Sequence, residues 1–111
     1  MIRLVSFGRK HPQPERRPDR IVDCTHLPNP HHEPRLRPLT GLDSAVQTYV
    51  ARSRGYTRIA EHVVATVTDG DEVAFACYGG RHRSVAVAEL VADRLRGKGF
   101  DVAIEHCDLR R

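Results

Sequence analysis

The chain has 111 residues, a formal net charge of +4 and three cysteines, enough for one domain with its own aliphatic core. No apolar run reaches the roughly 20 residues of a membrane-spanning helix, and the opening Met1-Ile2-Arg3-Leu4-Val5-Ser6-Phe7 is interrupted too soon for a signal peptide, so the expected compartment is the cytoplasm. Cys24, Cys77 and Cys107 are odd in number and far apart, which argues against a disulfide framework, while the basic balance suits either anionic partners or a plain solvated surface.

Ile2 to Phe7 alternates and reads as a strand ended by Gly8. His11 to Arg20 carries Pro12, Pro14 and Pro18 and reads as an exposed connection. Strand character returns from Arg20 to Leu27 through Ile21, Val22 and Cys24. Cys24, among apolar neighbours, is expected to be a core thiol. Pro28-Asn29-Pro30 excludes helix and forces an extended turn, and the segment to Pro38 reads as irregular.

Asp43 or Ser44 can cap a helix to about Arg52, with Leu42, Val46 and Val50 at helical spacing. Gly55 is expected to break it, and Thr57 to cap a second helix with Ile59, Val63 and Val67 on one face. Glu72 to Cys77 reads as a short strand buried on both faces. Ser84 to Arg96 reads as a helix, and Phe100 to Glu105 as a last strand. The order is β-loop-β-α-α-β-α-β. It predicts an α/β fold: a small, mainly parallel sheet of about four strands flanked by helices, in one domain over residues 1–111. Ligands of such sheets bind beyond the carboxyl ends of the strands.

The chemistry concentrates between the third strand and the third helix, in Cys77-Tyr78-Gly79-Gly80-Arg81-His82-Arg83-Ser84. Two glycines let backbone amides approach a ligand closely. A helix start adds free amides and the positive end of its dipole. Arg81, His82 and Arg83 add side-chain donors, and Ser84 can cap the helix or donate to an anion. The sum favours a phosphate-sized dianion. The turn is not a P-loop, because nothing matches G-x-x-x-x-G-K-[ST]. The plainer alternative is a tight turn with basic residues in solvent.

Cys77-x5-Arg83-Ser84 also resembles the phosphate loop of cysteine-dependent phosphatases, in which a thiolate attacks phosphorus. Ala76 stands where those enzymes carry His, and Asp23, Asp43 and Asp108 are equal candidates for the acid. Zinc is not expected: Cys24-Thr25-His26 and His106-Cys107 lack the spacing of a metal site. No cofactor is called for.

Leu27-Pro28-Asn29-Pro30-His31, then Arg37-Pro38-Leu39-Thr40-Gly41-Leu42-Asp43, then Cys77 to Val85 with Ala88-Glu89-Leu90 form a longer pattern. With Ser6-Phe7-Gly8, Lys10, His106 and Asp108-Leu109 it resembles, nearly end to end, the C-terminal domain of the bacterial RNase adapter protein RapZ. The resemblance implies a non-enzymatic module that binds glucosamine-6-phosphate, a small phosphorylated metabolite, and contributes to binding small regulatory RNAs. Asp23 and His31 would line the sugar side, and residues 77–84 would hold the phosphate. The family's N-terminal P-loop domain has no counterpart in these 111 residues, so adapter activity and nucleotide hydrolysis are not carried over. Three positions depart from the family: Thr25 for an Arg, Cys107 for an Arg, and Tyr78 for a small residue, commonly Thr. Three readings therefore stand together: a phosphosugar-binding module, a phosphatase using Cys77, and an RNA-binding module. The third lacks aromatic clusters for base stacking.

Overall fold

A computed structural model describes residues 1–110. Four strands, β1 (Ile2–Gly8), β2 (Arg20–Asp23), β3 (Glu72–Cys77) and β4 (Val102–His106), form one sheet in the order β2-β3-β1-β4. Every pairing is parallel. Three helices, α1 (Ser44–Ala51), α2 (Arg54–Thr66) and α3 (Arg83–Gly97), complete the α/β domain.

Alternation along the strands sorts the core. Ile2, Leu4, Val73, Phe75 and Cys77 face the helices and join Val46, Val50, Val63, Val87, Val91 and Leu95 in the main cluster. Val5, Phe7, Ala74 and Ala76 point to the opposite face and form a second, small cluster. Buried parallel strands are apolar on both sides, and β3 is buried throughout, as its sequence indicates. Among the described residues no helix contributes to the cluster on the opposite face. The proline-rich connection crosses it instead, with Arg16 reaching the buried Glu72 at 3.1 Å. Cys24 is fully buried in the main cluster, as expected of a core thiol.

Several boundaries differ from the sequence reading, each for a local reason. Strand β2 stops at Asp23 rather than Leu27, because the Asp23 carboxylate accepts the Thr25 amide at 3.0 Å and turns the chain. Pro30 starts a one-turn 3-10 helix, η1 (Pro30–His32), in place of irregular chain; Pro needs no amide partner at a first helical position. Gly55 does not break a helix. It lies in the first turn of α2, whose cap is Ser53, accepting the Tyr56 amide at 3.1 Å, and not Thr57. The glycine serves packing, since a Cβ there would meet Leu27 Cδ2 at 2.8 Å. Helix α3 begins at Arg83 with His82 at the cap position, so Ser84 lies inside the helix and does not cap it.

Candidate functional site

Strands β1 and β3 leave the sheet side by side, and their pairing continues past both ends. The Arg9 amide donates to the Cys77 carbonyl at 2.8 Å, and the Lys10 amide to the Tyr78 carbonyl at 3.2 Å. The turn is packed backbone against backbone. Gly80 has a φ of +80°, and a Cβ on it would come within 2.6 Å of the Gly8 nitrogen. A Cβ on Gly8 would meet the Gly79 carbonyl carbon at 2.5 Å. Both positions therefore demand glycine for close approach. From behind, the Gly41 amide donates to the Arg81 carbonyl at 2.8 Å. A Cβ on Gly41 would press on the Ala86 nitrogen at 2.4 Å. The Arg37–Asp43 stretch is thus the wall against which the start of α3 rests.

The turn opens on a cleft of about 330 Å³ at the carboxyl ends of β1 and β3, the expected place for a ligand of a parallel sheet. Its volume lies at the small end of the range for small-molecule sites, about 300–1,000 Å³. The sequence candidates His31, Cys77, Tyr78, Gly79, Gly80, Arg81, His82 and Arg83 line it, together with Lys10 and Asn29. Neither Lys10 nor Asn29 stands out in the sequence as a ligand residue, although both belong to the motif stretches. The β1–β3 pairing that carries Lys10 to the cleft is not visible in the sequence. Asn29 holds the neighbouring turn, its Oδ1 accepting the His31 amide at 3.1 Å. Arg37 Nε donates to the His31 carbonyl at 2.7 Å and secures the same turn.

Two sequence candidates do not line the cleft. Ser84 is fully buried behind the turn, with its Oγ 3.1 Å from Cys77 Sγ. Asp23 is exposed at the end of β2, where its Oδ1 accepts from the Thr25 amide and from the Thr25 hydroxyl at 2.7 Å. Those two bonds, with Arg9 nearby, hold its pKa below the usual carboxylate value.

The basic residues separate into two kinds. Arg83 is buried, and its Nη1 donates to the Thr25 carbonyl at 2.6 Å and the Leu27 carbonyl at 3.3 Å. It ties α3 to the chain after β2. Arg81, by contrast, has a half-buried side chain with no hydrogen bond or ion pair among the described residues. Lys10 is exposed, its ammonium 5.6 Å from the Tyr78 ring centroid. Arg81 and Lys10 are therefore the lining cations whose side chains make no hydrogen bond or ion pair among the described residues, Lys10 standing over the Tyr78 ring. His82 is buried with its Nε2 unpartnered. Burial holds its pKa below the ordinary histidine value, against the opposing effect of the Leu39 and Arg37 backbone groups.

Cys77 sits at the floor. Its Sγ accepts from the Gly80 amide at 3.3 Å and adjoins the Ser84 hydroxyl. The Cys24 thiol, one residue past the end of β2, is pushed up by burial and stays protonated. Among the described residues no group of His, Cys, Asp or Glu could hold a metal ion.

This set of residues, from Lys10 through the 37–43 wall to the glycine turn, is the pattern of one family, and the whole-chain comparison agrees. Residues 1–110 match the RapZ C-terminal domain. The chain belongs to the RapZ C-terminal domain family. It is 44% identical to a nucleotide-binding protein of Thermobifida fusca over 97% of its own length and 40% of that protein's. It is 43% identical to a nucleotide-binding protein of Thermus thermophilus over its whole length and 44% of that protein's. A nucleotide-binding protein of Acidothermus cellulolyticus is 42% identical over 97% of the chain and 40% of its own length. The chain thus spans about two fifths of these relatives. No described helix is long and apolar enough to cross a membrane.

Proposed function

We propose that this RapZ C-terminal domain binds a phosphorylated amino sugar of the glucosamine-6-phosphate type and acts as a sensing module without chemistry of its own. The observation that carries the reading is the pair of cations, Arg81 and Lys10, neither side chain in a hydrogen bond or ion pair among the described residues, at a cleft whose wall is a glycine turn and the start of α3. A helix start presents unpaired amides and a positive dipole end, and a guanidinium adds a bidentate clamp. In this reading His31 meets the sugar hydroxyls. The cleft lining contains no carboxylate, so the sugar ammonium is assigned to Asp23 at the neighbouring strand end. Titration calorimetry with glucosamine-6-phosphate, glucose-6-phosphate and inorganic phosphate tests it. Tightest binding of the amino sugar is expected, and equal affinity for all three would reduce the site to a phosphate binder.

The same donors can grip an RNA backbone phosphate. With a net charge of +4, such binding is electrostatic and falls steeply with salt. A gel-shift series in rising salt measures it, and tight binding indifferent to salt would contradict this role.

One observation favours the phosphatase reading: the Gly80 amide and the Ser84 hydroxyl both reach Cys77 Sγ and would stabilise a thiolate. Against it, the motif arginine is engaged elsewhere, with Arg83 bonded to the Thr25 and Leu27 carbonyls. Turnover of an aryl phosphate by the wild type that disappears in Cys77→Ser would establish the enzyme; no turnover is expected.

A further inference from the structure

Among the described Phe and Tyr residues, Tyr78 alone is exposed: it is 62% accessible, whereas Tyr56 is 3% accessible and Phe7 and Phe75 are fully buried. It lies in the cleft lining, one residue before Gly79. Its backbone is tied to the chain after β1, its carbonyl accepting the Lys10 amide at 3.2 Å, and the Lys10 ammonium stands 5.6 Å from its ring centroid. A single exposed ring is ordinary on a protein surface. A ring held at the mouth of an anion cleft is, in contrast, a surface on which the rest of a ligand can lie. Aromatic faces take the apolar C–H face of a sugar or the face of a base.

We propose that Tyr78 determines which phosphate esters this cleft accepts, by stacking the ring of a cyclic phosphomonoester whose phosphate sits at the Gly79–Gly80 turn. The inference rests on the phosphate-binding reading and adds to it a selection for rings over acyclic esters. Lys10 links the two contacts. It leaves the face of Tyr78 as it pairs with the phosphate, and so frees the ring for the ligand.

The test is titration calorimetry of wild type, Tyr78→Ala and Tyr78→Phe with four probes: inorganic phosphate, glycerol 3-phosphate, glucosamine-6-phosphate and adenosine 5′-monophosphate. Wild type should bind a cyclic ester roughly tenfold tighter than glycerol 3-phosphate, the scale of one aromatic stack. That ratio should fall to about one in Tyr78→Ala and persist in Tyr78→Phe, which keeps the ring. A ratio near one in wild type, or a ratio unchanged in Tyr78→Ala, overturns the proposal while leaving phosphate binding intact. Preference for the nucleotide over the amino sugar, lost in Tyr78→Ala, supports the stacking role and replaces the sugar with a base. Failure of wild type to bind any of the four overturns the phosphate reading and this inference together.

Discussion

The Arg83 guanidinium donates to the Thr25 carbonyl at 2.6 Å, across 58 positions of sequence. This contact places the motif arginine under the loop after β2, whereas the Arg81 side chain lines the cleft without a hydrogen bond or ion pair among the described residues. Replacing Arg83 by Ala should therefore act first on stability. Charge-assisted hydrogen bonds contribute roughly 1.5–3 kcal/mol each, and the buried Leu27 carbonyl, left unpaired, adds to the loss. Thermal and urea unfolding of Arg83→Ala should show a destabilisation of about that size without ligand. An unchanged midpoint would show that the contact carries no stability.

Gly80→Ala tests the backbone packing of the turn. The positive φ alone costs of order 1–3 kcal/mol, and the new Cβ would stand 2.6 Å from the Gly8 nitrogen. Lower stability and weaker phosphate binding are expected together. Gly97, where an added Cβ would meet nothing within 4 Å, serves as the control: Gly97→Ala should leave both nearly unchanged. Equal behaviour of the two variants would refute the close-approach argument.

Much of the fold is legible in the sequence because apolar periodicity reports burial directly. Alternation marks β1, and a continuous apolar run marks β3. The spacing of Val87, Val91 and Leu95 marks α3. Gly55 misleads because its role is contact with Leu27, a partner that only folding supplies. The site is half legible for the same reason. The glycine turn and its basic residues are contiguous, so their meeting at a cleft can be read. The division of labour between Arg81 and Arg83 cannot, since it depends on carbonyls more than fifty residues away. Nor can the place of Lys10, which depends on β1 pairing with β3.

Acid should weaken the protein through His82. Its pKa is lowered in the folded state, chiefly by burial, against about 6.5 when unfolded. Between the folded value and about 6.5 the unfolded chain binds more protons, so stability is lost as pH falls through that window. Asp23, also lowered, adds a loss below the ordinary carboxylate value of 3.8. Urea midpoints measured downward from about pH 7.5 should decline near pH 6 in wild type and stay flatter in His82→Asn. Parallel curves would remove His82 as the cause.

Asp23→Asn tests the proposed recognition of the amine apart from that of the phosphate. Affinity for glucosamine-6-phosphate should drop to that for glucose-6-phosphate, while the latter stays nearly constant. Competition calorimetry reads the two values. Equal weakening of both ligands would place Asp23 in the turn after β2 and nowhere in recognition.

In the proposed function, phosphate binding at this cleft depends on the Arg81 guanidinium, which lines it. Titration of glucosamine-6-phosphate into wild type and Arg81→Ala, with unfolding of both measured without ligand, tests that dependence most directly. Saturable one-to-one binding by wild type is expected. Roughly tenfold or greater weakening is expected in Arg81→Ala at an unchanged melting temperature, because Arg81 makes no hydrogen bond or ion pair among the described side chains. Identical affinities in the two proteins, or no binding by wild type, would contradict it.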